Sequence, residues 1–378
     1  MKILIVDQTG GAYGQIDVYR SIAAGEGMDV TLLLPARSFD GFTHATKHAE
    51  AKDSLRIVTG RSWLPNRSHR SILPALWSLL QRERFDLLYL EAEPESYAAL
   101  YAVTARKAVS ARSKVVLMSW RNIDFPRGAY PFRAAWTHAF AERVTLPRID
   151  GLVAHNGKAL ELFQTRGIPQ TALIPPAVDV NRFSPVEPTA DQKEDAGEKF
   201  VIGYVGRFVR EKGIDVLLQA SARLPIPHEI LLVGSGPDEG RLRRESVGLG
   251  IAERVRWAGP IASGSLPEIY RSMDVLVLPS RTTPLWKEQF GRVLAEAMAC
   301  GVPVVGSDSG EIPATIGDAG PTFAEGDVEA LAACVRKLSD DHALREGLGE
   351  KGRKRAVDNF SLDLVSKMYR EFFERVVG

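Results

Sequence analysis

Along the chain, short unbroken apolar runs alternate with stretches whose apolar residues recur every three or four positions. The runs ILIV, DVTLLL, LRIV, DLLYL, KVVLM, GLVAH and TALIP occupy the front half, and FVIGYV, EILLVG, RVRWAG, DVLVLPS and PVVGS the back. Continuous apolar runs bounded by turn residues predict strands buried on both faces, and the helical stretches between them predict parallel crossovers. The pattern therefore predicts a doubly wound α/β plan, used twice. One stretch breaks it: NRFSPVEPTADQKEDAGEKF, Asn181 to Phe200, combines proline and charge with few apolar residues and reads as a linker. The expected organisation is an N-terminal Rossmann-like domain over 1–180, the linker 181–200, a second Rossmann-like domain over 201–360, and a C-terminal helix over 361–378. Ser361 supplies that helix with an N-cap, and its apolar spacing lets it close the second domain or pack back on the first. The expected fold class is α/β, with two Rossmann-like doubly wound domains facing across a cleft and ligand held at the carboxyl ends of the strands.

Chemistry is then sought in the loops that follow strands. After the first strand, DQTGGAYGQ brings Gly10, Gly11 and Gly14 ahead of a helix, where backbone can approach an anion. The spacing differs from the dinucleotide fingerprint, so a nicotinamide site is not indicated, and an ordinary tight turn is the competing reading. The second half opens with VIGYVGRFVREKGIDVLLQA. There Gly206 ends a strand, and Arg207 and Lys212 lie in the loop that leads into a helix at Gly213 or Ile214. Two cations beside a helix start suit a diphosphate, through charge-assisted hydrogen bonds and the helix N-terminal amides. Gly234 and Gly259 follow two later strands, and their turns can wall a slot for a flat base or be turns only.

The segment LWKEQFGRVLAEAMACGVPVVGSDSGEIPA carries Glu288 and Glu296. On a single helix their backbones would lie roughly 12 Å apart along the axis and about 80° apart around it, outside the about 5–10 Å of a glycosidase acid/base pair. The pattern instead places Glu288 in a loop and Glu296 on a helix from about Phe290 to Ala299, stopped by Gly301. Each glutamate then holds a different part of an extended ligand whose phosphates sit near the helix start at Phe290 and Gly291.

Charge sharpens this only slightly. The 48 basic and 47 acidic residues leave a net charge of +1, so nothing calls for nucleic acid as a partner. Residues 1–180 carry 22 basic against 17 acidic residues, net +5, and the remainder is net −4. In the positive half, SWRNIDFPRGAYPFRAAWTHAFAERV interleaves Arg121, Arg127, Arg133 and Arg143 with Trp120, Phe125, Tyr130, Phe132 and Trp136. That mixture suits a lipid phosphate or an anionic glycan, or equally a core helix with snorkelling arginines. Cys300 and Cys334 read as buried thiols of a reducing compartment. The apolar run at the start is too short for a signal peptide, and no run is long enough to span a bilayer, so a cytoplasmic protein is expected, with peripheral contact at a membrane face. No Asp-x-Asp and no His/Cys cluster of metal-ligand spacing occurs.

EQFGRVLAEAMACGVPVVGSDSGEIPATI resembles the E-x7-E signature of retaining nucleotide-sugar glycosyltransferases of the GT-B fold, glycosyltransferase family 4. GYVGRFVREKGIDVLLQA is similar to that family's phosphate-binding loop, and LIPPAVDVNRFSP to its interdomain segment. The resemblance implies that Arg207 and Lys212 bind the donor diphosphate, that Glu288 meets sugar hydroxyls and that Glu296 meets the ribose. It also implies that the amides of Phe290 and Gly291 meet sugar and phosphate, with Gly11 approaching the diphosphate from the first domain. The chain departs from the pattern in three places. Gln289 stands where glycine is usual, and Pro176 and Ala177 replace a frequent Asn-Gly. Trp120, Arg121 or Asn122 stands where many members carry a histidine, which makes these three the acceptor-side candidates. The implied activity is transfer of a hexose from a nucleotide diphosphate sugar to a glycan, glycolipid or other hydroxyl acceptor, with no cofactor and no metal. A nucleotide-sugar epimerase and a non-catalytic sugar-nucleotide-binding subunit are the alternatives.

Overall fold

The computed structural model describes residues 1–8, 15–36, 54–64, 69–110, 112–125, 130–131, 134–186 and 199–378. The chain divides into two compact units, Met1–Ala177 with Leu362–Gly378, and Val178–Ser361.

The first unit is built on seven parallel strands, β1 Lys2–Asp7, β2 Asp29–Pro35, β3 Leu55–Gly60, β4 Leu87–Glu91, β5 Lys114–Ser119, β6 Gly151–Ala154 and β7 Thr171–Leu173, in the order β3-β2-β1-β4-β5-β6-β7. Each apolar run of the front half forms one of them. The register sets Ile3 opposite Leu87 and Asp7 opposite Glu91. Because side chains alternate across a strand, Leu4 and Val6 point to one face of the sheet and Ile3 and Ile5 to the other. Leu76, Ala99 and Phe163, from the helices Ala75–Arg82, Tyr97–Val109 and Gly157–Gln164, cover the first face.

The second face is covered by Gln15–Ala23 and by the C-terminal helix Leu362–Val377, which brings in Val365, Tyr369, Phe372, Phe373 and Val376. That helix therefore belongs to the core of the first unit, with the Tyr369 hydroxyl 3.1 Å from that of Tyr89. The passage between units also falls earlier than the expected linker, at Ala177/Val178. Val178 N donates to Phe360 O at 2.7 Å, and the Arg353 guanidinium donates to the carbonyls of Val180, Phe183 and Ala299. Residues 178–186 are thus tied into the second unit by backbone capping, a use of their carbonyls that composition does not reveal. Residues 187–198 of the expected linker lie outside the described residues.

The second unit repeats the plan with β8 Phe200–Val205, β9 His228–Val233, β10 Val255–Gly259, β11 Val275–Leu278, β12 Val304–Ser307 and β13 Thr322–Phe323, in the order β10-β9-β8-β11-β12-β13. Two-residue β13 is too short to register as a period. In both sheets the strand order reverses beside the first strand, between β1 and β4 and between β8 and β11. The loops leaving each pair part to opposite faces, which opens a crevice at that switch point. Cys300 is buried, and burial pushes its thiol up to about 12; Cys334 is half-buried. Among the described residues no helix is long and apolar enough to cross a membrane.

Candidate functional site

The loops after β8 and β11 flank the switch point of the second sheet, and they carry the candidate residues. After β8, Gly206 leads to Arg207, which is exposed and makes no ion pair among the described residues. The chain then forms a single tight turn, Arg210–Lys212, before the helix Ile214–Ser221. After β11 the chain runs irregularly from Ser280 to Gly291 and enters the helix Arg292–Ala299. Arg281 N donates to Glu211 O at 2.7 Å and stitches the two loops together.

Lys212 and Glu288 meet across this seam. Lys212 Nζ lies 2.7 Å from Glu288 Oε2, which also accepts from Ser280 Oγ at 2.8 Å, and the ammonium sits 4.7 Å from the Trp286 ring centroid. Glu288 is buried. A buried carboxylate is tolerated only with such partners, so the pair holds the loop in place. Gly310 holds it from behind: Glu311 N donates to Glu288 O at 3.1 Å, and a Cβ on Gly310, at φ +55°, would lie 2.1 Å from that carbonyl oxygen.

Glu296 lies on the helix, as its spacing from Glu288 indicates, and it too is buried. Tyr270 Oη donates to its Oε2 at 2.7 Å and Arg292 Nε to its Oε1 at 3.0 Å. Burial and the adjacent carboxylate push the Tyr270 hydroxyl far above its usual pKa and keep it a donor. An ionised carboxylate has about four lone-pair positions, so Glu296 retains capacity for ligand hydroxyls. The two glutamates have separate partners and do not form a pair.

Gly206, Gly234 and Gly259 come together at the adjacent ends of β8, β9 and β10. Gly206 N donates to Val233 O at 2.9 Å and Gly234 N to Gly259 O at 2.8 Å. A Cβ on Gly234 would lie 1.9 Å from Gly206 O, so glycine is required for the close approach of these strand ends. Gln289 is half-buried. Phe290 is buried against Phe360, and Gly291, at φ +79°, turns the chain into the helix. Gly11 lies outside the described residues, as do Gly10 and Gly14.

In the first unit, the turn after β5 is fixed by Glu93. Its carboxylate accepts from Ser119 Oγ at 2.6 Å and from Trp120 N at 2.7 Å, while burial and the neighbouring Glu95 push it up to about 8. The Trp120 ring lies 4.3 Å from that of His155. Burial holds the His155 imidazole down at about 4, and its Nε2 has no hydrogen-bond partner among the described residues. Asn122 is buried beside this turn.

Arg121 follows Trp120 in the same turn. It is buried, with Nη2 2.7 Å from Glu95, 2.9 Å from Glu142 and 3.0 Å from the Tyr130 hydroxyl. Its Nη2 is held by these groups, while its Nε and Nη1 have no hydrogen-bond partner among the described residues; Trp120, Arg121 and Asn122 all remain acceptor-side candidates. Arg127, Phe132 and Arg133 lie outside the described residues.

Sequence reading missed Ser280, Trp286, Tyr270, Arg292 and Gly310. Arg292 had a usable signal, since it stands four residues before Glu296 on one helix. Tyr270 and Gly310 come from other segments and leave no local mark, and Ser280 and Trp286 share the irregular loop of Glu288, which has no period to show which side chains meet. Among the described residues no cluster of three His, Cys, Asp or Glu side chains could hold a metal.

Two Rossmann-like units, each on a parallel sheet, are the plan of the GT-B glycosyltransferases. Two family models divide the chain between them: a glycosyl transferase 4-like domain over residues 17–177 and glycosyl transferases group 1 over residues 186–355. The chain belongs to this family of GT-B glycosyltransferases. It is similar to the GDP-mannose-dependent alpha-(1-6)-phosphatidylinositol monomannoside mannosyltransferase of Mycolicibacterium smegmatis, 36% identical over 205 residues, 51% of this chain and 53% of that protein. It is also similar to the D-inositol 3-phosphate glycosyltransferase of Corynebacterium jeikeium, 33% identical over 219 residues, 53% of this chain and 51% of that protein. The chain thus spans about half the length of the curated relatives it matches. Among solved structures it is similar to Anabaena Alr3699/HepE in complex with UDP, with TM-score 0.77 at 20% identity, covering 99% of this chain and 100% of that one. WaaG, a glycosyltransferase involved in lipopolysaccharide biosynthesis, has TM-score 0.68 at 17% identity, covering 99% of each chain. At these identities the likeness is one of fold.

Proposed function

We propose that this chain is a retaining, metal-independent hexosyltransferase, which moves a sugar from a nucleotide diphosphate donor to a hydroxyl of a lipid-linked or glycan acceptor. The observation that carries this reading is the pair of loops at the second switch point, where Lys212 and exposed Arg207 follow β8, Lys212 pairs with Glu288 of the loop after β11, and Glu296 lies on the helix that this loop enters. Arg207 and Lys212 with the helix amides meet the donor diphosphate, Lys212 sharing its three protons between phosphate and Glu288. Glu288 orients sugar hydroxyls and Glu296 the ribose. The turns at Gly234 and Gly259 wall the base, and Gly206 and Gly11 leave room for the diphosphate. Gln289, Phe290 and Gly291 line the sugar, and Trp120, Arg121 or Asn122 stands on the acceptor side.

In the step itself, the bond from the anomeric carbon to the diphosphate oxygen breaks as the acceptor oxygen bonds to the same face of that carbon. The departing phosphate oxygen takes the acceptor's proton. The protein contributes position and charge stabilisation of the leaving diphosphate, with no carboxylate acting as nucleophile. The relatives' acceptors, phosphatidylinositol mannoside and inositol phosphate by name, support an acceptor that joins a polyol or sugar to phosphate, and a lipid-linked one brings the enzyme to a membrane face. The test is nucleotide release from a nucleotide sugar with and without a panel of such acceptors, with the product's anomeric configuration read by NMR. Acceptor-dependent release with retained configuration is expected. Release without acceptor and an isomerised sugar would mark an epimerase, and donor binding with no turnover on any acceptor would mark a non-catalytic subunit.

A further inference from the structure

The Lys212 ammonium has two neighbours of different kinds. Glu288 Oε2 lies 2.7 Å away, and the centre of the Trp286 ring 4.7 Å away. A carboxylate neutralises the cation it holds, whereas an aromatic face attracts a cation through its quadrupole and leaves the charge in place. The indole is therefore the contact that can hold this ammonium without competing with a phosphate for its charge.

The chain builds the contact from both sides. Lys212 N donates to Val209 O at 3.1 Å and Gly213 N to Arg210 O at 3.1 Å, which closes the tight turn beneath the lysine. On the facing loop, Thr283 N donates to Trp286 O at 2.8 Å and Trp286 N to Thr283 O at 3.4 Å, so that Pro284 and Leu285 form the tip of a second turn. Leu285 N is held there by Thr283 Oγ1 at 3.3 Å. The tip leaves Leu285 63% exposed and turns the half-buried indole onto the cation.

A free lysine stem loses rotamer freedom when its ammonium is fixed on a ligand. With a carboxylate on one side and a ring face on the other, most of that loss is taken on folding. An ammonium carries three N–H donors; with Glu288 taking one and the ring face another, the third is directed away from both. Fixing a binding group before the ligand arrives raises affinity, and the same fixing holds charge where the leaving group develops it.

We propose that Trp286 is a positioning residue for the transfer reaction, its ring face holding the Lys212 ammonium oriented for the donor diphosphate. The inference rests on the reading of Lys212 as a diphosphate ligand, and it adds the side chain that aims it.

The test is a double-mutant cycle on the binding of UDP, GDP, ADP and dTDP to the full chain, measured by titration calorimetry. For the nucleoside diphosphate that the wild type selects, Trp286→Leu is expected to lose on the order of tenfold in affinity, and Trp286→Phe, which keeps a ring face, about twofold to threefold. Lys212→Ala is expected to lose on the order of tenfold or more, and Lys212→Ala/Trp286→Leu no more than Lys212→Ala. Indole emission is the second measurement, and it decides the matter if Trp286→Leu fails to fold. Phosphate that neutralises the ammonium beside the ring is expected to change the emission of the wild type, and the change is expected to be absent from Trp286→Phe and from Lys212→Ala at saturating nucleotide. Unchanged affinity in Trp286→Leu, a loss that repeats in full in the Lys212→Ala background, or an emission change that is the same in Trp286→Phe overturns the proposal and leaves the donor site standing. A Lys212→Ala variant that binds as tightly as the wild type, or a wild type that binds none of the four, removes the reading of Lys212 and the proposal with it.

Discussion

Arg207 and Lys212 provide the sharpest perturbation, because the structure gives them different surroundings for the same proposed task. Arg207 is exposed and makes no ion pair among the described residues, so Arg207→Ala is expected to change stability by no more than about 0.5 kcal/mol. Lys212 is 21% exposed and neutralises Glu288, which is 9% exposed at its side chain. Ser280 Oγ still donates to Glu288 Oε2 after its removal, and a cost of about 2 kcal/mol is expected, between that of a surface pair and that of a fully buried one. If both cations stabilise the departing diphosphate, each truncation raises the barrier by about 3–4 kcal/mol, which is on the order of a hundredfold to a thousandfold in turnover. The assay pairs denaturant unfolding with nucleotide release from the donor. The expected result is two variants equally slow but unequally stable. Normal turnover in both, with both folded, would refute the reasoning; a loss confined to Lys212→Ala, in step with its lost stability, would reduce that residue to support for the loop.

Three further outcomes follow from the geometry. Gly310→Ala is expected to destabilise by about 1–3 kcal/mol, because its Cβ would lie 2.1 Å from Glu288 O at φ +55°; the denaturant midpoint measures it, and turnover should fall with it. Arg121→Ala is expected to cost about 3–5 kcal/mol, since it strands buried Glu95, whereas Glu142 keeps Arg166 at 2.6 Å; a stable variant with altered acceptor affinity would mark Arg121 as an acceptor contact. For His155, held down at about 4 against an ordinary 6.5, the unfolded chain takes up the proton first. Stability is therefore complete above about pH 6.5 and is lost as pH falls towards 4, by an order of 3 kcal/mol at most, and His155→Gln should flatten that slope in acid unfolding curves.

Much of the fold was legible because both sheets are parallel and buried on both faces, so that each strand leaves an unbroken apolar run in the sequence. Twelve runs anticipate strands, and only two-residue β13 escapes. The division into units was less legible. The partner of the helix Leu362–Val377 is a sheet assembled from residues far away in sequence, and its amphipathic spacing fits either unit equally well. In the site, Glu288 and Glu296 could be assigned to loop and helix because 3.6-residue periodicity and Gly301 bound the helix. The partners that fix them could not: Tyr270 reaches Glu296 from another helix, and Gly310 touches Glu288 only because β12 delivers it there. The surroundings of Arg121 were hidden for a related reason. A basic residue beside aromatics looks the same in sequence whether its counter-charges, here Glu95 and Glu142, stand behind it or not.

The central claim is that the second unit holds a nucleoside diphosphate sugar between its cations and Glu296. It is tested most directly by a thermal-shift panel of UDP, GDP, ADP and dTDP and their sugar conjugates against the purified protein, with Glu296→Ala as control. A selective rise with one nucleotide, absent in the variant, is the result predicted. A variant that keeps the shift, or a wild type that responds to none of the panel, would contradict the account.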